Sequence, residues 1–330
     1  MQSPTRKRLL EAFTNANGEF LSGQALADIL GCSRTAIWKH IEELRKEGFE
    51  LEAVRKKGYR IVSTKDRVTE NEIRLGLNTE IIGNVIHYLD STDSTQKIAH
   101  RLSQDGCPEG TVVVAEEQTN GRGRLTRPWH SPKHTGIWMS IVLRPKLPPQ
   151  KAPQFTLIAA IAVVQAMIEL VNIEPEIKWP NDILINGKKV TGILTELQAD
   201  ADKIHSIIIG IGINVNQSIT DFPDELHSIA TSLAIASEKK QSRATLIQLI
   251  LAKLEKYYLL YLEQGFAPLK ILWESYAISI GKEIIARTVT GSIAGKAIGI
   301  SDEGVLKIQD SDGVIHDIYS ADIEMKDKNL

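Results

Sequence analysis

The sequence predicts an α+β multidomain protein with a helical N-terminal domain, a central α/β domain and a small C-terminal β domain. Helix signals fill about the first sixty residues, and short apolar strands alternate with helical segments in the middle. Apolar and polar residues alternate over about the last fifty. A chain of 330 residues also exceeds one ordinary compact domain. We therefore predict domains at residues 1–63, 64–280 and 281–330.

The composition is that of a soluble globular protein, with 42% hydrophobic and 24% charged residues. Its two cysteines, Cys32 and Cys107, lie far apart in the sequence, which argues against a disulfide framework and against a zinc site. The most apolar stretch, Phe155–Met167, is shorter than the ~20 residues that span a bilayer, and the N-terminus lacks an apolar signal segment. We expect a cytoplasmic protein with no membrane partner.

The first domain carries the signals of a helix-turn-helix. A first helix, Arg6–Ala16, is predicted to end at Asn17-Gly18. A second helix begins after Ser22 as its N-cap and ends at Gly31, and Ser33 caps a third after a tight turn. The positions predicted to be buried on the second and third helices are Ala25, Leu26, Ile29, Leu30, Ile37, Ile41 and Leu44.

A basic hairpin follows the third helix, because two alternating strands flank Arg55-Lys56-Lys57-Gly58. This wing, beside a polar and basic face of the third helix, favours DNA binding over the alternative of a solvated three-helix bundle. Residues 1–62 carry eleven Lys and Arg against eight Asp and Glu, the balance expected of a nucleic-acid partner. The predicted DNA-binding residues are Arg34, Thr35, Trp38, Lys39, Arg45, Arg55, Lys56 and Lys57.

The middle of the chain reads as a sheet with helices. Apolar helices are predicted over Phe155–Val171 and Thr245–Tyr261, and Asn186-Gly187 is the signal of a type I′ hairpin turn. The predicted strands are Val85–Leu89, Thr111–Ala115, Ile137–Leu143, Ile177–Trp179, Ile183–Ile185, Val190–Leu197 and Ile204–Ile209.

A glycine- and arginine-rich loop follows the strand Thr111–Ala115. Its two glycines permit unusual backbone dihedrals, and its arginines bring three cations into one segment. Neither a Walker A loop nor a dinucleotide fingerprint is present in it. The density of guanidinium groups predicts an anion site, although a mobile surface loop would also explain glycine and arginine separately. The residues concerned are Gly121, Arg122, Gly123, Arg124 and Arg127.

Two further segments carry groups that suit phosphate chemistry. Asp182 is a candidate oxygen ligand for Mg²⁺, which prefers one or two carboxylates plus substrate phosphates. Lys189 is predicted to share a strand face with Thr191, while Lys188 and Val190 share the other face. Strand parity alone leaves open which lysine is buried, and an exposed hairpin with polar ends is the alternative.

Four ordered motifs resemble those of biotin protein ligases, and the resemblance covers essentially the whole chain. With the winged helix, the sequence is similar to the bifunctional form of the family, the biotin operon repressors. The motifs are Gly-Arg-Gly-Arg-x-x-Arg-x-Trp at 121–129, Lys-Trp-Pro-Asn-Asp at 178–182, Gly-Lys-Lys-x-x-Gly-Ile-Leu at 187–194 and Gly-Ile-Gly-Ile-Asn-Val-Asn at 210–216.

The resemblance implies a role for each matching residue. The biotin-binding residues are then Ser94, Thr95, Gln96, Gln118, Arg122, Gly123, Arg124 and Lys189. The nucleotide-binding residues are Arg124, Arg127, Trp129, Lys178, Asn181 and Asn214, the metal ligand is Asp182, and the catalytic residues are Lys189, Arg122 and Arg124.

Particular positions depart from the family pattern or allow a second explanation. Gln96 stands where many relatives have Asn, and Ser94 also fits a helix N-cap. Gly210 and Gly212 suit a tight turn as well as a ligand contact, and Asn214 is predicted to lie in that turn.

The last fifty residues, with turns at Asp302–Gly304 and Asp310–Gly313, are predicted to form a five- or six-stranded barrel. It resembles the SH3-like C-terminal domain of the family, as the central domain resembles the biotin/lipoate ligase type. The resemblance implies biotin, ATP and Mg²⁺, with biotinyl-5′-AMP as intermediate and corepressor. It also implies three partners: the biotin carboxyl carrier protein, operator DNA and a second copy in a homodimer.

Three alternatives remain at this point. A ligand-sensing repressor without catalysis could lose the charged residues of the motifs. A lipoate or octanoate ligase or transferase would not need polar groups for the ureido ring and usually lacks the winged helix. A monofunctional ligase could retain an N-terminal domain that no longer binds DNA.

Overall fold

The computed structural model describes residues 4–16, 18–46, 49–62 and 66–326. The predicted helix stop at Asn17 and the predicted domain boundary after residue 63 lie outside these residues.

The N-terminal domain contains three helices and a two-stranded hairpin. Ser22 accepts a hydrogen bond from the Ala25 amide, and Gly31 ends the second helix in the left-handed region, φ 64°, as predicted. Ser33 caps the third helix through the Ala36 amide at 3.2 Å. The elements are α1 (Pro4–Asn15), α2 (Gly23–Leu30), α3 (Arg34–Lys46), β1 (Leu51–Val54) and β2 (Gly58–Ile61).

A separate hydrophobic core holds this domain together. Ile37, Ile41 and Leu44 of α3 are buried in it, as predicted. On α2 the prediction holds for Leu26 and Leu30 but was wrong at two positions, since Ala25 is only partly buried and Ile29 is 40% exposed, while Ala27 is buried instead. Ala27 falls one position after Leu26 on the helix and lies on the side that packs against the other helices, whereas Ile29 turns toward solvent.

The wing is the antiparallel hairpin of β1 and β2, in which Val54 pairs with Gly58. The Leu21 and Tyr59 backbones also pair across a bridge, so the wing is attached to the segment before α2. Arg55, Lys56 and Lys57 form the exposed tip. A cationic tip therefore projects from the domain that carries α3.

The central domain is built on a seven-stranded sheet of order β3-β4-β5-β9-β8-β7-β6. The β3–β4 pair is parallel and the other neighbours are antiparallel, so the class is α+β. Asn186 and Gly187 both have positive φ in the β7–β8 hairpin, as the sequence predicted. The elements are α4 (Glu70–Arg74), β3 (Ile86–Leu89), α5 (Thr95–Gln104), β4 (Thr111–Ala115), β5 (Gly136–Leu143), α6 (Ala152–Leu170), β6 (Glu176–Lys178), β7 (Asp182–Ile185), β8 (Lys188–Ala199), β9 (Ile204–Asn214), α7 (Leu233–Ser237), α8 (Arg243–Gln264) and α9 (Ala267–Tyr276).

Helices cover both faces of this sheet. Val112 and Val114 of β4 point into the large core that α6 and α8 complete, while Val113 points to the opposite face and a smaller cluster under α5. Both faces are apolar, which is why β4 reads as a continuous run of buried residues rather than as an alternation.

One described helical stretch, Pro149–Leu170, is long and apolar enough to cross a membrane by length and composition. It is longer than the apolar stretch identified in the sequence because a short 3₁₀ turn precedes α6. Of its most apolar window, 67% is buried inside the protein. Its residues pack between the sheet and α8, which is the position of a core helix.

The C-terminal domain is a five-stranded antiparallel sheet of order β13-β12-β11-β10-β14. It packs on the central domain through its 302–304 turn, where the Trp179 indole N–H donates to the Gly304 carbonyl at 3.2 Å. The Gln154 amide donates to the Asp302 carbonyl at 2.6 Å. The strands are β10 (Glu283–Thr288), β11 (Gly291–Ile300), β12 (Leu306–Gln309), β13 (Ile315–Ile318) and β14 (Asp322–Met325).

A buried arginine joins several segments of the central domain. Arg243, the first residue of α8, is fully buried, and its guanidinium donates to Glu116 at 2.8 Å and to the Gly136 carbonyl at 3.0 Å. Its Nε also donates to the Asp66 carboxylate at 2.8 Å, and its Nη2 donates to the Asp66 backbone carbonyl at 2.6 Å. Glu116 is itself fully buried. The arrangement connects the end of β4 and the start of β5 with Asp66.

We predict that Arg243→Met lowers the free energy of unfolding of the central domain by about 3–5 kcal/mol. The substitution leaves the Glu116 carboxylate buried without its main cation, which costs more than the lost contact itself. Denaturant unfolding followed by tryptophan fluorescence measures the change. Arg287→Met is the matched control, because Arg287 forms an exposed pair with Glu324 and its loss should change stability little. Equal shifts in the two variants would contradict the assigned role of Arg243.

Candidate functional site

A cavity of about 540 Å³ lies on the α5 face of the central sheet, next to the N-terminus of that helix. Its floor is formed by β5, β8 and β9, and its rim by the loop that follows β4 and by Asp322 of the C-terminal domain. The volume is in the range of small-molecule sites.

All fourteen residues that the sequence assigned to biotin, nucleotide or metal line this one cavity, although they come from distant parts of the chain. They are Ser94, Thr95, Gln96, Gln118, Arg122, Gly123, Arg124, Arg127, Trp129, Lys178, Asn181, Asp182, Lys189 and Asn214.

Polar side chains at the deep end of the cavity hold one another in place. Gln118 accepts hydrogen bonds from the amide and hydroxyl of Thr95, and its own amide donates to Ser131. Gln96 accepts from the Ser140 hydroxyl at 2.9 Å and donates to the Ile208 carbonyl at 3.2 Å. These groups are fixed before any ligand arrives.

Ser94 stands at the N-cap position of α5, but its side chain makes no capping hydrogen bond. It is 1% exposed and lines the cavity. The expectation of a helix cap therefore holds for the position of Ser94 and fails for its hydroxyl group.

The predicted turn at Gly210–Asn214 is wrong, because β9 continues through this segment to Asn214. Both glycines are needed for space. A Cβ at Gly210 would lie 2.6 Å from Gln96 Oε1, and one at Gly212 would lie 2.5 Å from the Trp129 indole nitrogen. The absence of side chains at these two positions of β9 leaves room for Gln96 and Trp129 to pack against the strand.

Each of the three arginines of the loop after β4 has its own hydrogen-bond partner outside the loop. Arg122 donates to Glu196 at 3.1 Å, and Arg124 donates to Asn181 at 3.0 Å. Burial lowers the pKa of the Arg124 guanidinium.

Two further contacts of this loop reach the C-terminal domain. Arg124 donates to the Ser320 hydroxyl at 2.7 Å, and Arg127 pairs with Asp322. The hydrogen bond from Arg127 holds the pKa of the Asp322 carboxyl below its usual range. The C-terminal domain therefore closes one side of the cavity.

Lys189 points into the cavity, where its ammonium lies 2.7 Å from Asp182 Oδ1 and 5.2 Å from the centre of the Trp129 ring. The prediction that Thr191 shares its face is wrong. A bulge interrupts the β7–β8 pairing, since Leu184 pairs with Lys189 and Ile183 with Thr191, so Val190 is an extra residue that reverses the alternation.

Lys188, by contrast, is not among the cavity residues. Its ammonium donates to the His227 carbonyl at 2.9 Å, outside the pocket. The structure thereby distinguishes two adjacent lysines that strand parity alone did not.

Some cavity residues escaped the sequence analysis. The segment 222–230 contributes to the cavity wall, and the Lys189 amide donates to the Ile229 carbonyl. Asn214 fixes the same segment by donating to the Thr231 carbonyl at 3.1 Å. The cavity residues that the sequence analysis missed do not fall in a recognisable motif, and they reach the cavity only through tertiary contacts. The residues concerned are Phe222, Leu226, Ser228, Ile229, Ala230, Ser140 and Asp322.

The donor set fits a phosphate-bound Mg²⁺ better than a metal held by protein alone. The described residues contain no group of three or more His, Cys, Asp or Glu that could hold a metal ion. Asp182 is a single carboxylate on the cavity wall, which matches an ion that takes its remaining ligands from phosphates and water.

The DNA-binding candidates lie together on the N-terminal domain and are exposed: Arg34, Thr35, Trp38, Lys39 and Arg45 on α3, and Arg55, Lys56 and Lys57 on the wing. Trp38 is 55% exposed and lies on α3 among these polar and basic residues. Arg45 donates to Glu42 and to the Leu51 carbonyl, and the Lys57 ammonium lies 5.9 Å from the centre of the Phe20 ring.

Comparison with known proteins agrees with this arrangement. Residues 88–214 match the biotin/lipoate A/B protein ligase family, residues 5–60 an HTH domain and residues 279–326 the biotin protein ligase C-terminal domain. The bifunctional ligase/repressor BirA of Bacillus subtilis is 58% identical, over 98% of this chain and 100% of its own. The chain belongs to the biotin protein ligase family.

More distant members of the family show the same pattern. The bifunctional ligase/repressor BirA of Escherichia coli is 30% identical, over 94% of each chain. The biotin protein ligase of Aquifex aeolicus, solved in complex with biotin and ATP, is 32% identical with a TM-score of 0.64. That structure covers 74% of this chain and 99% of its own.

Proposed function

We propose that this protein is an ATP-dependent biotin protein ligase and a biotin-responsive transcriptional repressor of biotin synthesis genes. The observation that carries the proposal is that all fourteen residues assigned from the sequence surround one cavity. The N-terminal helix-turn-helix and wing carry the second activity. The domains are those at residues 1–63, 64–280 and 281–330.

In the first step the carboxylate of biotin attacks the α-phosphorus of ATP. A P–O bond forms, the bond between the α-phosphorus and the bridging oxygen breaks, and pyrophosphate leaves with biotinyl-5′-AMP as the product. The barrier is largely the repulsion between a carboxylate and a polyphosphate. Lys189, Arg122 and Arg124 line the cavity and supply positive charge at this point.

Asp182 is the residue that would hold Mg²⁺, and Mg²⁺ would supply further positive charge to the phosphates. The carboxylate lies beside Lys189, so the lysine also keeps this anion from repelling the substrate. Lys178, Asn181, Trp129 and Asn214 are proposed to contact the nucleotide.

In the second step the amine of a lysine on the biotin carboxyl carrier protein attacks the acyl carbon of the anhydride. The C–N bond forms, AMP leaves, and the amine loses its proton. Neither step requires a covalent enzyme nucleophile. The enzyme must instead keep water from the anhydride, a function suited to the arginine loop and the segment 222–230, which lie over the cavity.

The repressor activity needs operator DNA and a homodimer, because winged-helix repressors bind two-fold-related half-sites. We propose biotinyl-5′-AMP as the corepressor and the cytoplasm as the location. Binding of the adenylate would order the cavity rim and favour the dimer, with a coupling of about 1–3 kcal/mol. Unmodified carrier would relieve repression by consuming the adenylate.

We predict that the purified protein transfers biotin to a carrier lysine when ATP and Mg²⁺ are present, and forms biotinyl-AMP without carrier. Mass spectrometry of a biotin-accepting domain measures the transfer. Lipoic acid in place of biotin is the control, since a lipoate ligase shares the same core. Lipoylation without biotinylation would overturn the assignment.

We predict that Lys189→Ala lowers kcat/KM for adenylate formation by roughly 10- to 150-fold. A charge-assisted hydrogen bond to the substrate carboxylate contributes about 1.5–3 kcal/mol, and this variant removes it. Lys188→Ala is the matched control, because its ammonium binds the His227 carbonyl outside the cavity. The assigned role of Lys189 would be wrong if both variants lost the same activity in a pyrophosphate-release assay.

We predict that biotinyl-AMP tightens operator binding, and that Lys39→Ala or removal of residues 55–57 weakens it without loss of ligase activity. Each lost phosphate contact should reduce the slope of log affinity against log salt by about 0.9. Titrations at several salt concentrations, with and without the adenylate, measure both effects. Lys282→Ala, an exposed lysine on the C-terminal domain, is the control. If the adenylate changes neither operator affinity nor dimerisation, the repressor part of the proposal is wrong and only the ligase part stands.

A further inference from the structure

Arg122 is held by a carboxylate that none of the sequence motifs contains. Its guanidinium donates to Oε1 of Glu196 on β8 at 3.1 Å, and both residues are partly buried, with side chains 33% and 29% exposed. Arg122 Nε is buried and has no hydrogen-bond partner among the described residues. One end of the guanidinium is therefore engaged by the protein, while a donor remains available at the cavity.

Glu196 is in turn oriented by a chain of hydrogen bonds between β8, β9 and α5. The Ser206 hydroxyl donates to Gln198 Oε1 at 2.8 Å, which directs the Gln198 amide nitrogen toward His100 Nδ1 at 3.0 Å. A donor at Nδ1 places the imidazole proton on Nε2, which lies 2.8 Å from Glu196 Oε2. The direction of each bond thus follows from the one before it.

These hydrogen bonds also keep the Glu196 carboxylate charged. The hydrogen bond from His100 lowers the pKa of the Glu196 carboxyl, with further contributions from a hydrogen bond with Gln96 and from the charge of Arg122. The carboxylate therefore offers Arg122 a charge-assisted hydrogen bond, the kind that restricts a flexible guanidinium most strongly. Without it, a long side chain on a glycine-flanked loop would sample several rotamers.

We propose that Glu196 is a positioning residue for adenylate formation, which holds Arg122 in the orientation that meets the carboxylate of biotin. The proposal rests on the proposed ligase function. Glu196 acts through Arg122 and does not itself contact the substrate. His100 and Gln198 support it from α5 and β8.

The first test is the variant Glu196→Gln, which keeps the shape of the side chain and removes its charge. We expect kcat for biotinyl-AMP formation to fall by about tenfold, because a neutral hydrogen bond replaces a charge-assisted one. The KM for ATP should change less than twofold. Glu169→Gln is the matched control, since Glu169 forms an ion pair with Lys253 remote from the cavity.

A double-mutant cycle separates positioning from a general structural effect. If Glu196 acts through Arg122, Glu196→Gln should have no further effect on kcat in an Arg122→Ala background. Effects that multiply instead, or a wild-type rate in Glu196→Gln alone, would overturn the proposal. Denaturant unfolding of each variant shows whether the fold is kept, and Glu196→Asp, which retains the charge, replaces Glu196→Gln in the cycle if the latter does not fold. Wild-type protein that forms no biotinyl-AMP would instead refute the ligase function.

Discussion

The buried ion pairs of Arg243 are the constraint on which the geometry of the cavity depends. One guanidinium contacts the end of β4 at Glu116, the start of β5 at Gly136 and the segment at Asp66. Asn216, just beyond β9, donates to the same Asp66 at 2.8 Å. The loop that carries Gln118 and the segment 222–230 of the cavity wall therefore both start from fixed points. A buried charge needs such partners, so the contacts that satisfy Arg243 also locate the two loops.

Local signals in the sequence predicted the elements well, and tertiary pairing explains where they failed. The caps at Ser22 and Ser33 and the Asn186-Gly187 turn depend on neighbouring residues, and each lies where predicted. The bulge at Val190 interrupts the β7–β8 hairpin where the Lys189 backbone bonds instead to the distant segment 229–231. The extension of β9 to Asn214 follows its pairing with β5, which is also distant in the sequence. The motifs identified which residues share the cavity, because the resemblance carried that information. They could not identify Glu196 or Asp322, which reach Arg122 and Arg127 only through the fold.

Three of the cations at the cavity are each paired with a carboxylate, whereas Arg124 is held by the neutral groups of Asn181 and Ser320. Lys189 lies beside Asp182, Arg122 beside Glu196 and Arg127 beside Asp322. A cluster of unpaired cations would be costly to hold together before ligand binds, whereas paired cations keep their orientation. The third pair crosses to the C-terminal domain, and Arg124 reaches the same domain at Ser320. The small sheet at the end of the chain is therefore part of the wall of the cavity.

The N-terminal domain has its own hydrophobic core, distinct from the core shared by the central and C-terminal domains. Leu75, just after α4, packs against that first core. Two cores allow the two parts of the chain to accumulate substitutions independently. Residues on the exposed face of α3 and the wing can change over evolution, and with them the DNA sequence that is recognised, without repacking the walls of the cavity. The same separation makes exchange of residues 1–62 between relatives a direct route to regulators that sense one metabolite and act on different genes.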